Sequence, residues 1–370
     1  MRRKFKKTIV TILVLVILIG ALTIFLKASG KTLTEFLKEL GIEITVEDKD
    51  PPIKTETDEL SIHFMELGND YAGDCVLIDV GDVEVLVDAG SRTNSADTIV
   101  PYINDYCTDG KLEYVIATHA HQDHIAAFVD DGNTNGIFTS FECEVIIDFP
   151  LTNATSNVYN KYLTLRDKEI ANGAKHYTAL ECFNNQNGAS REIELAENVY
   201  IEILYNRYYE IKTSNENNYS VCFLVKQGGN NYLFTGDLEE EGEEYLVQDN
   251  DLPECVLFKA GHHGSYTASH DVLLDEIKPE ICVVTCVCGT DEYSKDKNRQ
   301  FPSQDFISRI CKHTDKVYAP SVVSGNAKGY ESLNGNIVFI SDGLEYRVEC
   351  SNNNVILKET NWFKENRVWQ

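Results

Sequence analysis

Positive charge is scarce in this 370-residue chain: 33 Lys and Arg stand against 59 Asp and Glu, a net of −26. The opening "MRRKFKK" holds five of the 33 basic residues and no acidic one, so the rest of the chain carries 28 against 59, a net of −31. No Lys/Arg-rich stripe follows. This opposes capture of a polyanion by a basic surface, because neutralising phosphates usually supplies much of nucleic-acid affinity. Screening beyond about 8 Å still allows a local basic groove. A CxxC pair is absent, which excludes a zinc ribbon, and the eleven cysteines lie mostly in apolar runs such as "SVCFLV", where they read as small core residues. A dense disulfide framework is not expected; pairing among Cys282, Cys286 and Cys288 stays open. For an exported chain, buried free thiols point to a reducing or anaerobic habitat. No internal repeat is present, which excludes a repeat array.

What is present is a core: 43% of the residues are hydrophobic and 25% charged, the balance of a globular protein of one large or two ordinary domains. One long apolar run exists, "TIVTILVLVILIGALTIFL", residues 8 to 26. Its nineteen uncharged residues come close to spanning the roughly 30 Å of a bilayer's hydrocarbon core. A cleaved signal has a shorter apolar region and a better cleavage site than "LKASG". The expectation is an uncleaved anchor over residues 1–28, its basic stub cytoplasmic and the remainder extracellular. Residues 29–59 read as a linker, with one short amphipathic helix in "LTEFLKELGIEI" before the acidic, proline-containing "TVEDKDPPIKTETDE".

From Leu60 short β-branched runs broken by Gly, Asp and Asn read as strands, among them "LSIHFMEL", "DCVLIDVG", "VEVLVDAG", "LEYVIATH", "CEVIIDF", "NYLFTGD", "CVLFKAG" and "ICVVTCV". Helices are expected at "SADTIVPYINDY", "SNVYNKYLTLRDKEIANG", "EEEGEEYLVQ", "SHDVLLDEI" and "SQDFISRICKH". Strands first, then strands alternating with helices, suit sheets sandwiched between helices, an α/β domain over residues 60–348 with a C-terminal tail at 349–370.

Three of the nine histidines crowd into "ATHAHQDHIAAF": His119, His121 and His124, with Asp123 between. A lone histidine would read as a solvated turn residue. Four ligand-type side chains in six positions at a strand end can instead grip cations through imidazole nitrogens and a carboxylate. Asp237 in "YLFTGDLEEE" and the pair His262 and His263 in "VLFKAGHHGSYTASH" follow at later strand ends. Each alone is weak: Gly-Asp is an ordinary turn and paired histidines are often superficial. Together and in this order they read as one site.

In "VLVDAG", "THAHQDH", "FTGD" and "HHGS" the chain resembles the metallo-β-lactamase fold, and in its longer phrases, "HFMELGNDYAGDCVLIDVGDVEVLVDAG", "NENNYSVCFLV" and "KAGHHGSYTASHDVLL", the ComEC-type hydrolases of bacterial DNA-uptake channels and their free-standing relatives. The resemblance implies a four-layer αββα sandwich and two divalent ions, zinc first, with manganese or iron as alternatives. It implies that His119 and His121 hold one metal, that Asp123, His124 and one histidine of the pair hold the other, and that Asp237 bridges. Of the pair, His262 is favoured as ligand and His263 as a pocket residue, with the reverse assignment open. Asp88 corresponds to the aspartate that braces the histidine loop.

The match is incomplete. A further histidine expected between the first cluster and Asp237 is missing; His176 and Asp148 are the only stand-ins, and without them the first metal would be weak or absent. Phe301-Pro302 replaces the family's "HP". The expected chemistry is hydrolysis by a metal-activated water, with Asp123 positioning it. Ser265, Thr267 and Lys259 lie near enough in sequence to contact substrate, although helix capping and simple solvation are the ordinary roles of such residues. A phosphodiester, DNA first, is the expected substrate. The alternatives are a wall or lipid head-group ester and a surface binding module whose metal site is vestigial.

Overall fold

The computed structural model describes residues 54–324 and 329–370. The expected anchor over 8–26 and the expected helix in "LTEFLKELGIEI" lie outside these. Among the described residues no helix is long and apolar enough to cross a membrane.

Eighteen strands are named in chain order. The first six are β1 (Leu60–Phe64), β2 (Val76–Val80), β3 (Val83–Val87), β4 (Lys111–Ile116), β5 (Glu142–Asp148) and β6 (Lys175–Thr178). Next come β7 (Glu192–Ala196), β8 (Val199–Ile203), β9 (Phe223–Gln227), β10 (Asn230–Phe234), β11 (Leu257–Lys259) and β12 (Ile281–Val283). The last are β13 (Val287–Cys288), β14 (Val317–Tyr318), β15 (Ser321–Val323), β16 (Tyr330–Ser332), β17 (Ile337–Ser341) and β18 (Tyr346–Cys350). Eight form one sheet in the order β18-β17-β1-β2-β3-β4-β5-β6, seven a second in the order β14-β12-β11-β10-β9-β8-β7, and β13, β15 and β16 a small third.

Alternation in the second sheet shows why four layers form. Phe223 and Val225 of β9, Tyr232 and Phe234 of β10, and Leu257 of β11 point to the first sheet and share its core. Their neighbours Leu224, Leu233 and Phe258 point the other way, onto Leu246, Leu273, Ile277 and Phe306 of the outer helices. Successive side chains of a strand face opposite sides, so a strand apolar at every position must be covered on both. The first sheet is backed in turn by Ile99 and Ile103 of helix Ala96–Asn104 and by Tyr162 of helix Asn157–Asn172.

Five expected helices form, at Ala96–Asn104, Asn157–Asn172, Glu240–Asp249, Asp271–Ile277 and Gln304–Ile310. "ICVVTCV" is not one strand. It breaks at Val284–Cys286, where Thr285 turns toward the histidines, and its two halves enter different sheets. The tail contributes helix Asn361–Asn366, with Leu357 and Phe363 buried in the outer core. All eleven cysteines are free, the Cys286 and Cys288 sulfurs lying 3.9 Å apart.

Residues 55–58 lie across the ends of both sheets. Thr55 donates its amide to Gly228 and Thr57 to Asp342, each at 2.8 Å. The Gln227 side-chain amide donates to Thr57 and to the Ser341 carbonyl. Gly228 opens the β9–β10 turn, so this seam sits at the opposite end of β10 from Asp237.

Candidate metal centre

The residues of the site all leave strand ends on one side of the sandwich. β4 runs into Thr118 and His119; the chain then starts a helix at Gln122–Ile125, with His121 as its N-cap. β10 runs through Gly236 into Asp237. Gly236 has φ 54°, and a Cβ there would lie 2.7 Å from the Ser220 hydroxyl oxygen, so only glycine lets Asp237 swing inward. β11 leads to His262 and His263, both left-handed at φ 47° and 54°. Such backbone costs on the order of 1–3 kcal/mol per residue and persists only where its surroundings enforce it.

Four side chains converge. Asp123, His124, Asp237 and His263 each offer one ligand atom, all within 4.8 Å of one another, and all four are buried. His124 Nε2 is 3.1 Å from Asp237 Oδ2, and His263 Nε2 is 3.4 Å from both Asp123 Oδ2 and Asp237 Oδ2. Despite that proximity His124 Nε2, His263 Nε2 and both Asp237 oxygens have no aligned hydrogen-bond partner. Buried polar atoms are nearly always satisfied, so four orphans aimed at one point fit a cation.

The far side of each ring is fixed. His124 Nδ1 is 2.7 Å from Asp88 Oδ2, and Asp88 also accepts from the Thr118 amide and hydroxyl, each at 2.7 Å. His263 Nδ1 is 2.9 Å from the Thr285 carbonyl and 3.2 Å from Asp74 Oδ1. With Nδ1 engaged, Nε2 is the nitrogen left to face a metal.

Electrostatics point the same way. Burial lowers the proton affinity of His124 and His263, yet Asp237, joined by Asp88 and Asp74 at His124 and by Asp74 and Asp123 at His263, outweighs it and holds both imidazoles well above their ordinary pKa. Burial raises Asp237, but His124, His263 and His262 pull it well below the carboxylate range. The carboxylates demand positive charge here. A divalent ion would supply it and displace the ring protons.

The other expected residues fall into place around this group. His119 and His121 are not in it; they touch each other, Nε2 to Nδ1 at 3.0 Å, and burial with the neighbouring His124 and His121 pushes His119 well down. His262, the favoured ligand of its pair, stands 3.9 Å from Asp237 Oδ2 and turns its Nδ1 to Thr267 at 3.0 Å and Glu239 at 3.3 Å. It is His263 that enters the convergent group. Ser265 and Thr267 join their hydroxyls at 2.9 Å beside His262, and neither caps the following helix Asp271–Ile277, whose N-cap is His270. Lys259 is buried, not solvated, ion-paired with Asp74 and 3.8 Å from Asp237 Oδ1. Asp148 and His176 bind each other at 2.9 Å, and Asp148 also holds Arg166 at 2.9 Å, so neither joins a metal-ligating group among the described residues.

Sequence reasoning missed three participants. Asp74 of "GDCVLID" engages Lys259, His263 and Thr285, and Lys259 is the largest influence that offsets burial and takes its carboxyl down to about 2. Thr285 is the lone polar residue in "ICVVTCV", a signal that was available. Tyr293, whose hydroxyl donates to Asp123 Oδ2 at 2.6 Å, had none.

Fold and site together define a metallo-β-lactamase-fold protein with a buried His/Asp cluster, and the metallo-beta-lactamase superfamily model matches residues 68–130. Among its relatives, this chain is 21% identical over 210 residues to ComE operon protein 3 of Bacillus subtilis, covering 56% of this chain and 23% of that one. It is 26% identical over 212 residues to competence protein ComA of Neisseria gonorrhoeae, with 57% and 25% covered. Recombination protein 2 of Haemophilus influenzae is 30% identical over 137 residues, with 37% and 15% covered. These matches support the ComEC type; the aligned segments span a quarter or less of each relative. Of solved structures, the metallo-beta-lactamase fold protein YhfI from Bacillus subtilis aligns with a TM-score of 0.42 at 12% identity, over 76% of this chain and 100% of that one.

Proposed function

We propose that this chain is a metal-dependent hydrolase of phosphodiesters, DNA foremost, held outside the cell by its N-terminal segment. The observation that carries the catalytic reading is the burial and convergence of Asp123, His124, Asp237 and His263, with the ligand atoms of His124, Asp237 and His263 left unpartnered. These four would hold a cation, which when bound lowers the pKa of a water toward about 7 and stabilises charge on the phosphoryl oxygens.

The chain's own residues do the rest. Asp88 and Thr285 fix the two rings. Tyr293 donates to one oxygen of Asp123, which leaves the other to take a proton from the attacking water. His262, Thr267 and Ser265 supply donors at the mouth. Among the described residues His119 and His121 join no metal-ligating group, so the chain would hold one cation tightly and a second weakly.

Metal content by mass spectrometry of purified protein, with hydrolysis of bis-p-nitrophenyl phosphate, single-stranded DNA and duplex DNA, tests the reading. About one tightly bound transition metal per chain and metal-dependent turnover are expected. Less than one metal and no turnover would leave the non-catalytic surface module. Membrane fractionation and protease access on intact cells test the location.

One observation favours a smaller ester from wall or lipid. A cleft of about 960 Å³ beside the site is lined by Asp70, Asp291, Glu292, Glu331, Glu359 and Glu365, against Lys297 as the one basic residue among those described. Turnover of the small ester with none on either DNA would decide for it.

A further inference from the structure

We propose that Tyr71, Tyr266 and Tyr293 form an aromatic rim that stacks on unpaired bases of the strand whose phosphodiester occupies the site. The proposal rests on the phosphodiesterase reading and adds how a strongly acidic protein would hold such a strand.

The chain has nineteen tyrosines, and all are described. Only three are exposed: Tyr71 at 39%, Tyr266 at 38% and Tyr293 at 51%. Single exposed aromatics are ordinary. What is not ordinary is that all three lie on the segments that build one site. Tyr293 reaches Asp123 through its hydroxyl, and its ring packs 5.3 Å from Phe301, which lies 5.7 Å from the ring of His263. Tyr266 is three residues past His263. Tyr71 is two residues before Gly73, where a Cβ would lie 2.7 Å from the Asp123 carbonyl oxygen.

Two of the rings are backed. The Arg92 guanidinium lies 3.7 Å from the Tyr71 ring centre and Arg299 lies 4.6 Å from that of Tyr266. Arg92 is itself fixed by Glu292 at 2.6 Å, and Glu292 also accepts the Ala72 amide at 3.1 Å. A cation on one face stiffens a ring and leaves its other face for a flat partner. Because Glu292 neutralises Arg92, this arrangement offers little to a phosphate and much to a base. Stacking suits every base but needs one free of its neighbours, hence an unpaired strand. It also removes the conflict with charge: with a net of −31 past the first seven residues, affinity cannot come mainly from counterion release, and its salt dependence should be shallow.

Fluorescence anisotropy of the metal-loaded full chain in detergent tests this, with labelled phosphorothioate strands that resist cleavage: oligodeoxythymidylate, an abasic strand of equal length, and a duplex. The base-bearing single strand should bind about tenfold or more tighter than the abasic one. Tyr71→Ala and Tyr266→Ala should each remove most of that preference, and Tyr71→Trp and Tyr266→Trp should retain it. Equal affinity for abasic and base-bearing strands, or equal loss in Trp and Ala variants, overturns the rim. Base preference without hydrolysis of any phosphodiester would keep the rim and remove the catalytic reading; hydrolysis without base preference would do the reverse.

Discussion

His262 and His263 are adjacent and chemically identical, and the backbone alone gives them different work. Two left-handed residues in a row send one ring to Thr267 and Glu239 at the mouth and the other into the buried cluster. His263→Ala should therefore lower metal content per chain severalfold, while His262→Ala should retain metal; equilibrium dialysis separates the two. Asp88→Asn keeps the shape but changes which nitrogen of His124 carries the proton, so metal affinity should fall about 10- to 100-fold. At this scale the sequence was legible where residue type is rare. Three histidines in six positions cannot be overlooked among nine. Asp74, one acid among 59, and Tyr293, one tyrosine among nineteen, carry no such mark, because what distinguishes them is a contact made across more than a hundred residues of chain.

Elements with strong apolar patterning were readable, and those without it were not. β6 ("KHYT") and β7 ("EIELA") were passed over because each sits at the rim of its sheet, short and polar enough to resemble a loop. The apolar run at 281–288 failed differently: hydrophobicity is continuous through Thr285, but the backbone turns there to give His263 its carbonyl. The contact of β1 with helix Ala96–Asn104 yields a pH prediction. His63 is buried between them, bonded to Tyr102 at 2.9 Å and Ser61 at 2.8 Å, and burial lowers its pKa to about 4. A group depressed in the fold binds its proton more readily once unfolded. Stability should therefore be full above about pH 6.5 and fall by about 3 kcal/mol as pH drops toward 4. Urea midpoints across that window should show a flatter slope in His63→Gln than in the wild type.

At the scale of the whole molecule, the two large sheets share one core. Phe64 of the first stacks on Phe234 of the second, ring centres 6.2 Å apart, and Phe234 on Phe223 at 4.8 Å. Phe234→Ala should cost about 3–5 kcal/mol, measurable by denaturant titration. It would also loosen the strand that presents Asp237, so metal affinity and stability should fall together. The sandwich itself was legible from strand order and motif; the aromatic contacts between sheets were not, since no local pattern says which Phe meets which. Nine of the eleven free thiols are buried. Thiol titration should accordingly count two reactive groups in the native protein and eleven after unfolding.

The seam formed by Thr55 and Thr57 with Gly228 and Asp342 lies at one pole of the sandwich, and the histidine cluster lies at the other, with β10 running between them. Mechanical load arriving through the N-terminal side would be taken first by those edge amides and the β9–β10 hairpin. The ligand geometry at the far pole would be spared, so loosening those edge amides should leave the affinity for a cation unchanged.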